Sequence, residues 1–304
     1  MMVAGVALVC NLLWSLSYVF QKEASLVLPV PLILALRFLI GALATLPILW
    51  ILRNEIRKDS QGKVSLRSIF GAVSIGFLCY FLSPGLQLFG IQEGRASSAG
   101  ILVVTEPVFG LVLAWLFLGE VITRTVLIGL VLILSGVLVL SGAMGSASFF
   151  GGELLPNLII LISVFLESLQ GPISKKSMVS MHPFLMAFIA YLTGGILALI
   201  TSIVFGHIPF VVGPTFPWSA ILYLGLVCTA IAYSLWYWVL KRMPLSKAVL
   251  FIYVQPLSAC LFAWFWLGET LKATDLIGGV LILLGILVAQ TTRGRVQDPL
   301  GSPD

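Results

Sequence analysis

Two carboxylic acids stand far from any loop: Glu106 in the apolar run 96–118 and Glu167 in the run 154–174. Arg37 stands in a third such run, 31–52. An ionisable group inside a run of about 20 apolar residues is costly, and by default it faces a cavity, a partner or a cargo. A carboxyl in that setting can receive the cationic group of a cargo or carry a coupling proton. Its structural alternative is to tie a helix kink to neighbouring backbone. Arg37 is the natural counter-charge to either acid. It either braces neighbouring spans or binds a cargo carboxylate with its two-pronged guanidinium.

Proline sits beside several of these groups. Pro107 follows Glu106, removes a backbone donor and disfavours helical geometry at the preceding residue, which predicts a kink. Gln255-Pro256 repeats the pattern without the charge, and a structural role is expected there. Pro84-Gly85 and Gly171-Pro172 are expected flexing points, available for gating. The histidines His182 and His207 neighbour no serine or acid in a nucleophile arrangement, and Cys10, Cys79, Cys228 and Cys260 form no CxxC or His/Cys cluster. No enzyme activity, metal or cofactor is therefore expected. No GxxxxGK[ST] loop is present to support ATP-driven work.

The elements that must carry these residues follow from composition. Of 304 residues, 60% are hydrophobic and 10% charged, with a mean hydropathy of +1.11. A soluble domain carries about 25% charged residues, so this chain must be solvated by lipid. The alternation of a β-barrel is absent. Apolar runs predict an all-α integral membrane protein with ten spans, at 2–21, 31–52, 66–89, 96–118, 124–143, 154–174, 183–205, 218–240, 246–267 and 273–290. The first is read as a span, not a signal peptide. The net charge of +5 lies mostly in short loops and reflects orientation, not nucleic-acid binding. With the N-terminus in the cytoplasm, cytoplasmic segments hold 13 lysines and arginines and external segments 3. Both termini are expected inside a bacterial cytoplasmic membrane.

The chain also repeats itself. Residues 97–139 and 246–288 align without gaps at a separation of 149, with 19 identities in 43 places, among them Pro107/Pro256, Trp115/Trp264, Leu118-Gly119-Glu120/Leu267-Gly268-Glu269 and Gly129/Gly278. An internal repeat of this length defines the organisation: 1–147, 148–292 and a tail 293–304. Five spans per copy is odd, so the second copy enters the membrane in the opposite direction. That predicts an inverted repeat about an axis in the membrane plane. Two such halves can exchange conformations and expose a central site to each side in turn. Gly119-Glu120 and Gly268-Glu269 are expected to end helices, with the acid near the start of the following helix. Gly129/Gly136 and Gly278/Gly285 permit close helix contact, within the protomer or across a dimer.

The paired Glu-Pro and Gln-Pro, each followed by Leu-Gly-Glu and a glycine-bearing helix, resemble the EamA family of drug/metabolite transporters. So do Trp14-Ser15, Leu36-Arg37-Phe38 and Ala232-Tyr233-Ser234-Leu235-Trp236-Tyr237. The resemblance covers both halves and implies ten helices around a central cavity, with spans one to four and six to nine lining it and five and ten peripheral. By that likeness Asn11, Trp14, Tyr18, Tyr80, Tyr233, Trp236, Tyr237, Tyr253 and Gln255 fall on cavity-lining spans. Such rings suit an aromatic or amphipathic cargo, or cage an amine. The expected function is secondary transport of a small organic metabolite, an amino acid, an amine or an aromatic compound, by alternating access and in the direction of export. The expected partners are that small-molecule substrate, the lipid bilayer and protons as coupling ion, without nucleic acid, in a monomer or homodimer. Two alternatives stand beside it: a lipid-like or nucleotide-type cargo, and a membrane scaffold that transports nothing.

Overall fold

The computed structural model describes residues 2–59, 64–93, 102, 105–140, 154–206, 216–255, 258 and 273–291. All regular elements among them are helical: α1 (Met2–Ser25), α2 (Val30–Ile51), α3 (Arg53–Asp59), α4 (Leu66–Phe77), α5 (Ser83–Glu93), α6 (Glu106–Leu118), α7 (Arg124–Leu140), α8 (Leu154–Ser168), α9 (Gln170–Ser177), α10 (Pro183–Val204), α11 (Trp218–Leu222), α12 (Ser234–Arg242), α13 (Leu245–Ala248) and α14 (Ala273–Thr291). Lipid has no groups to satisfy a free peptide, so backbone bonds must close within each helix.

Among the described residues, five helical stretches are long and apolar enough to cross a membrane: Val30–Ile51, Leu66–Gln87, Leu155–Ser177, Pro183–Val204 and Trp218–Arg242. Shorter apolar helices at Met2–Ser17, Glu106–Leu118, Arg124–Val139 and Leu276–Thr291 join them. Side chains such as Leu43 (64% exposed) and Val204 (72%) face outward without protein cover, as a lipid-facing surface requires. Half of the expected ninth span, 246–267, lies outside the described residues. The expected polar loop at 53–65 begins as helix α3.

Among the described residues three stretches depart from α geometry: Val249–Tyr253 winds as a 3₁₀ helix, and two others are wider. Leu78–Leu82 joins α4 to α5, and Tyr223–Tyr233 joins α11 to α12, in wide π-helical winding. The first closes with Ser83 N donating to Leu78 O, five residues back. Such widening re-aims side chains and recurs at functional sites. Pro84 stands just after the first. Pro172 stands just after Leu169, where α8 passes into α9, so both expected flexing points coincide with irregular winding.

The helices of the two halves pack on one another: α2 on α10, α5 on α8, α1 on the Tyr223–Tyr233 stretch, and α7 along α14. The last pair approaches to backbone contact. A Cβ placed on Gly129 would lie 2.5 Å from Gly285 O, and one on Gly136 would lie 2.7 Å from Gly278 O. Each glycine therefore meets the repeat-mate of the other, and contact order reverses along the chain, so the helices run antiparallel. The glycines act within the protomer, one of the two arrangements left open above. No side chain fits there without prying the helices apart. Gly129→Val and Gly285→Val are each expected to cost about 1–3 kcal/mol, seen as a lower melting temperature in detergent. Gly5→Ala, where nothing lies within 4 Å, is expected to leave it unchanged or slightly raised.

Candidate functional site

Between α6, the α8–α9 junction and the segment from Leu245 to Ile252 lies a cavity of about 20 Å³. Space on that scale holds about one water, so no organic cargo fits it at this size. Glu106 enters it from the first turn of α6, where Pro107 needs no donor. The break at Leu169 turns Glu167, Ser168, Gln170 and Gly171 toward it. Trp236, on α12, closes the far side. The two glutamates, 61 positions apart in sequence, are thus brought to one cavity and lie within electrostatic reach of each other. Neither carboxyl has a hydrogen bond or ion pair among the described residues. Ser168 Oγ reaches only the Glu106 backbone oxygen, at 3.2 Å, while also donating to Val164 O at 2.8 Å.

Beside the cavity three polar groups from three spans meet. Gln170 Nε2 donates to Tyr80 Oη at 2.7 Å and to Tyr237 Oη at 2.9 Å, and the two hydroxyls bond each other. The proton count settles the amide's orientation. A flipped amide would draw both phenolic protons and leave none between the hydroxyls. With the nitrogen facing the tyrosines, Gln170 Oε1 remains an acceptor without a donor among the described residues. Around this triangle rings pack at centroid distances of 4.7 Å (Phe38–Tyr80), 5.2 Å (Tyr80–Tyr233) and 4.6 Å (Trp14–Tyr233), with Trp14 also 5.5 Å from Trp236. Tyr191 adds a bond to Ser234 Oγ at 3.2 Å.

Arg37 does not pair with either acid. Its Nε donates to Thr229 Oγ1 at 3.2 Å, and its guanidinium lies 5.3 Å from the Phe38 ring centroid and 5.9 Å from that of Tyr233. It is 7% exposed and braces α2 against the π-helical stretch. The expected ion pair is replaced by a hydroxyl and two ring faces, although Glu167 remains within electrostatic reach.

The other expected site residues divide. Asn11 and Gln255 bond each other, Nε2 to Oδ1 at 3.0 Å, while Asn11 Nδ2 donates to Ala7 O at 2.8 Å; they join α1 to the segment after α13 and do not line the cavity. Trp14 Nε1 lies 3.3 Å from Cys228 O. Tyr253 is 2% exposed, and its hydroxyl has no partner among the described residues. The Tyr18 side chain and Pro256 lie outside the described residues.

Glu120 corrects an expectation about the hairpin. Gly119 does end α6 in the left-handed region (φ 64°). The acid, however, turns away from the following helix. Its oxygens accept from Leu245 N at 2.7 Å and Ser246 N at 2.8 Å, opening α13 in the other half. Lys175 Nζ stands 3.8 Å from the same carboxylate and donates to Met243 O at 2.7 Å. Gln170, Ser168, Thr229 and Tyr191 were not singled out from sequence. Gln170 had a legible signal: it follows Glu167 by three positions in an apolar span, the spacing of one helix face.

Family comparison places this arrangement. The EamA-like transporter family model matches residues 1–142 and 154–291. The chain belongs to that family. The uncharacterized transporter YoaV of Bacillus subtilis (strain 168) is 25% identical over 94% of this chain and 95% of its own length. An uncharacterized transporter of Archaeoglobus fulgidus is 29% identical over 92% and 95%. A probable terminal-alkyne amino-acid exporter of Streptantibioticus cattleyicolor is 28% identical over 66% of each chain. A solved crystal structure superposes with a TM-score of 0.77 at 20% identity, covering 95% of this chain and 96% of its own, a likeness of fold. This EamA transporter is a multi-pass integral membrane protein. Within it, Glu120→Ala removes the acceptor for two backbone donors of the opposite half. The expected loss is about 1–2 kcal/mol, measured as a lower melting temperature, with Glu120→Gln falling between alanine and wild type.

Proposed function

We propose that this transporter moves a small organic metabolite (an amino acid, an amine or an aromatic compound) outward across the bacterial cytoplasmic membrane by alternating access. In this reading ten spans form two inverted repeats, 1–147 and 148–292, with both termini in the cytoplasm. The observation that carries it is a small cavity lined by two carboxyls that have no ion-pair partner among the described residues. Glu106 and Gly110 come from the first half, and Glu167, Gln170 and Trp236 from the second. A site lined by both halves changes its access when they move against each other. The antiparallel, exchanged glycine contacts of α7 and α14 support the inversion, since a twofold relation makes each patch meet its own mate. The relative named as an amino-acid exporter supports a nitrogen-bearing cargo and the outward direction.

Coupling follows from the same carboxyls. A group that exchanges a proton for cargo must change protonation in each cycle, which an amide cannot do. In proteoliposomes, Glu106→Gln or Glu167→Gln is expected to abolish accumulation driven by a pH gradient while counterflow of labelled cargo, assayed at saturating cargo, continues. Loss of both activities, or of neither, overturns proton coupling through that residue. A broad solute panel moved in neither direction by the wild-type protein overturns the transport reading itself.

A further inference from the structure

The cavity's polar inventory narrows the cargo further than transport alone requires. Ionised carboxylates accept hydrogen bonds and donate none. Two carboxyls, Glu106 and Glu167, line this cavity without a hydrogen bond or ion pair among the described residues, and each becomes such an acceptor when it gives up its proton. Gln170 lines it too, is 8% exposed, and spends its Nε2 on Tyr80 and Tyr237. Its Oε1 has no donor among the described residues. This oxygen is an observation separate from the acids and asks for the same thing, an N–H donor.

Among the described residues, no lysine or arginine lines the cavity. Arg37, the nearest buried cation by sequence expectation, lies off the lining with its Nε on Thr229 and its plane against Phe38 and Tyr233. A cargo carboxylate would therefore meet two acids and no counter-charge. Inside a low-dielectric span like charges repel strongly and unpaired charges are expensive. Retaining two acids and an open amide oxygen around one water-sized space is physically reasonable when the missing cation arrives from outside and leaves again.

We propose that the cargo is an organic cation, a primary amine or guanidine, held through its N–H donors by Glu106, Glu167 and Gln170. This rests on the reading of the cavity as the cargo site and selects the amine over the amino acid. Zwitterionic amino acids bind more weakly than their decarboxylated counterparts, because the carboxylate has no place to go. Phosphate-bearing cargo is excluded on the same ground.

The test is a thermal-stability titration of the whole purified protein in detergent with matched series: phenethylamine, phenylalanine and phenylacetate, then agmatine and arginine. Sodium and potassium chloride alone are run beside them. A ligand that binds the folded state raises the melting temperature with occupancy. Phenethylamine or agmatine is expected to give a saturable rise, with half-saturation at least about tenfold lower than for the matched amino acid, a difference of about 1.4 kcal/mol. Phenylacetate is expected to give none. Glu106→Gln and Glu167→Gln, tested separately so that one misfolded variant does not decide the matter, are each expected to raise half-saturation about tenfold or more.

An amino acid or acid that binds as well as the amine overturns the proposal. So does a flat response to both amines, a response to sodium or potassium that accounts for the whole shift, or amine binding unchanged in both variants. The outcomes separate from those of the transport assay. An amine that binds but is never moved sinks transport and leaves the cation site standing. An amino acid that binds better and is moved keeps transport and sinks the cation site.

Discussion

Two helices that touch backbone to backbone hold the halves of this transporter in register. Hydrophobic burial gives little drive to helix association in lipid, because the surrounding tails are as apolar as leucine. What remains is close packing, and it is strongest where side chains vanish. Gly129 against Gly285 and Gly136 against Gly278 bring α7 and α14 to van der Waals contact along their length. The same device recurs where Gly41 meets Thr229 and Gly225 meets Ile40. There α2 lies against the π-helical stretch, and Arg37 takes its bond to Thr229. Small residues thus set the interhelical distances, and polar side chains are placed at those distances afterwards.

The polar interior divides into a satisfied part and an unsatisfied part. Tyr80, Tyr237, Tyr191 and Ser234 exchange bonds among themselves, and Asn11 with Gln255 closes another contact. Groups that complete their bonds internally rigidify the helices carrying them. Glu106, Glu167 and the Gln170 carbonyl oxygen do not complete theirs. All three residues line one small cavity, and these oxygens have no hydrogen-bond donor among the described residues. Gln170 belongs to both parts. Its nitrogen stiffens the wall while its oxygen faces the gap, so a change in the cavity is mechanically tied to the tyrosines of two other spans.

The sequence carried the membrane class, the helical nature of the described spans and the repeat, because these rest on long apolar runs and on residues such as glycine that few others can replace. It carried Glu106 and Glu167 as well, since a charge in an apolar run is conspicuous. Arg37 was expected to face an acid or to brace neighbouring spans, and the brace is what forms: the winding at Tyr223–Tyr233 delivers Thr229 and the Tyr233 ring to it. π-helical winding has no period that composition reveals. Glu120 failed for a related reason. Its Leu-Gly-Glu motif is local, whereas Leu245 and Ser246 lie 125 and 126 positions away, and no local pattern names a partner at that distance.

That long-range bond bears on how the proposed cycle could work. Glu120 binds two peptide N–H groups where α13 begins, and Lys175 ties the same carboxylate to the end of α9 and to Met243. α9 carries Gln170, and Leu245, at the start of α13, lines the cavity. The clamp therefore fixes two walls of the cavity from one end, through charged side chains that are 17–20% exposed. The glycine seam between α7 and α14 has no such side chains, because only another backbone fits it. Movement that opens the cavity is accordingly cheaper at the charged clamp than at the glycine seam, and the halves should pivot about the seam while the clamp parts.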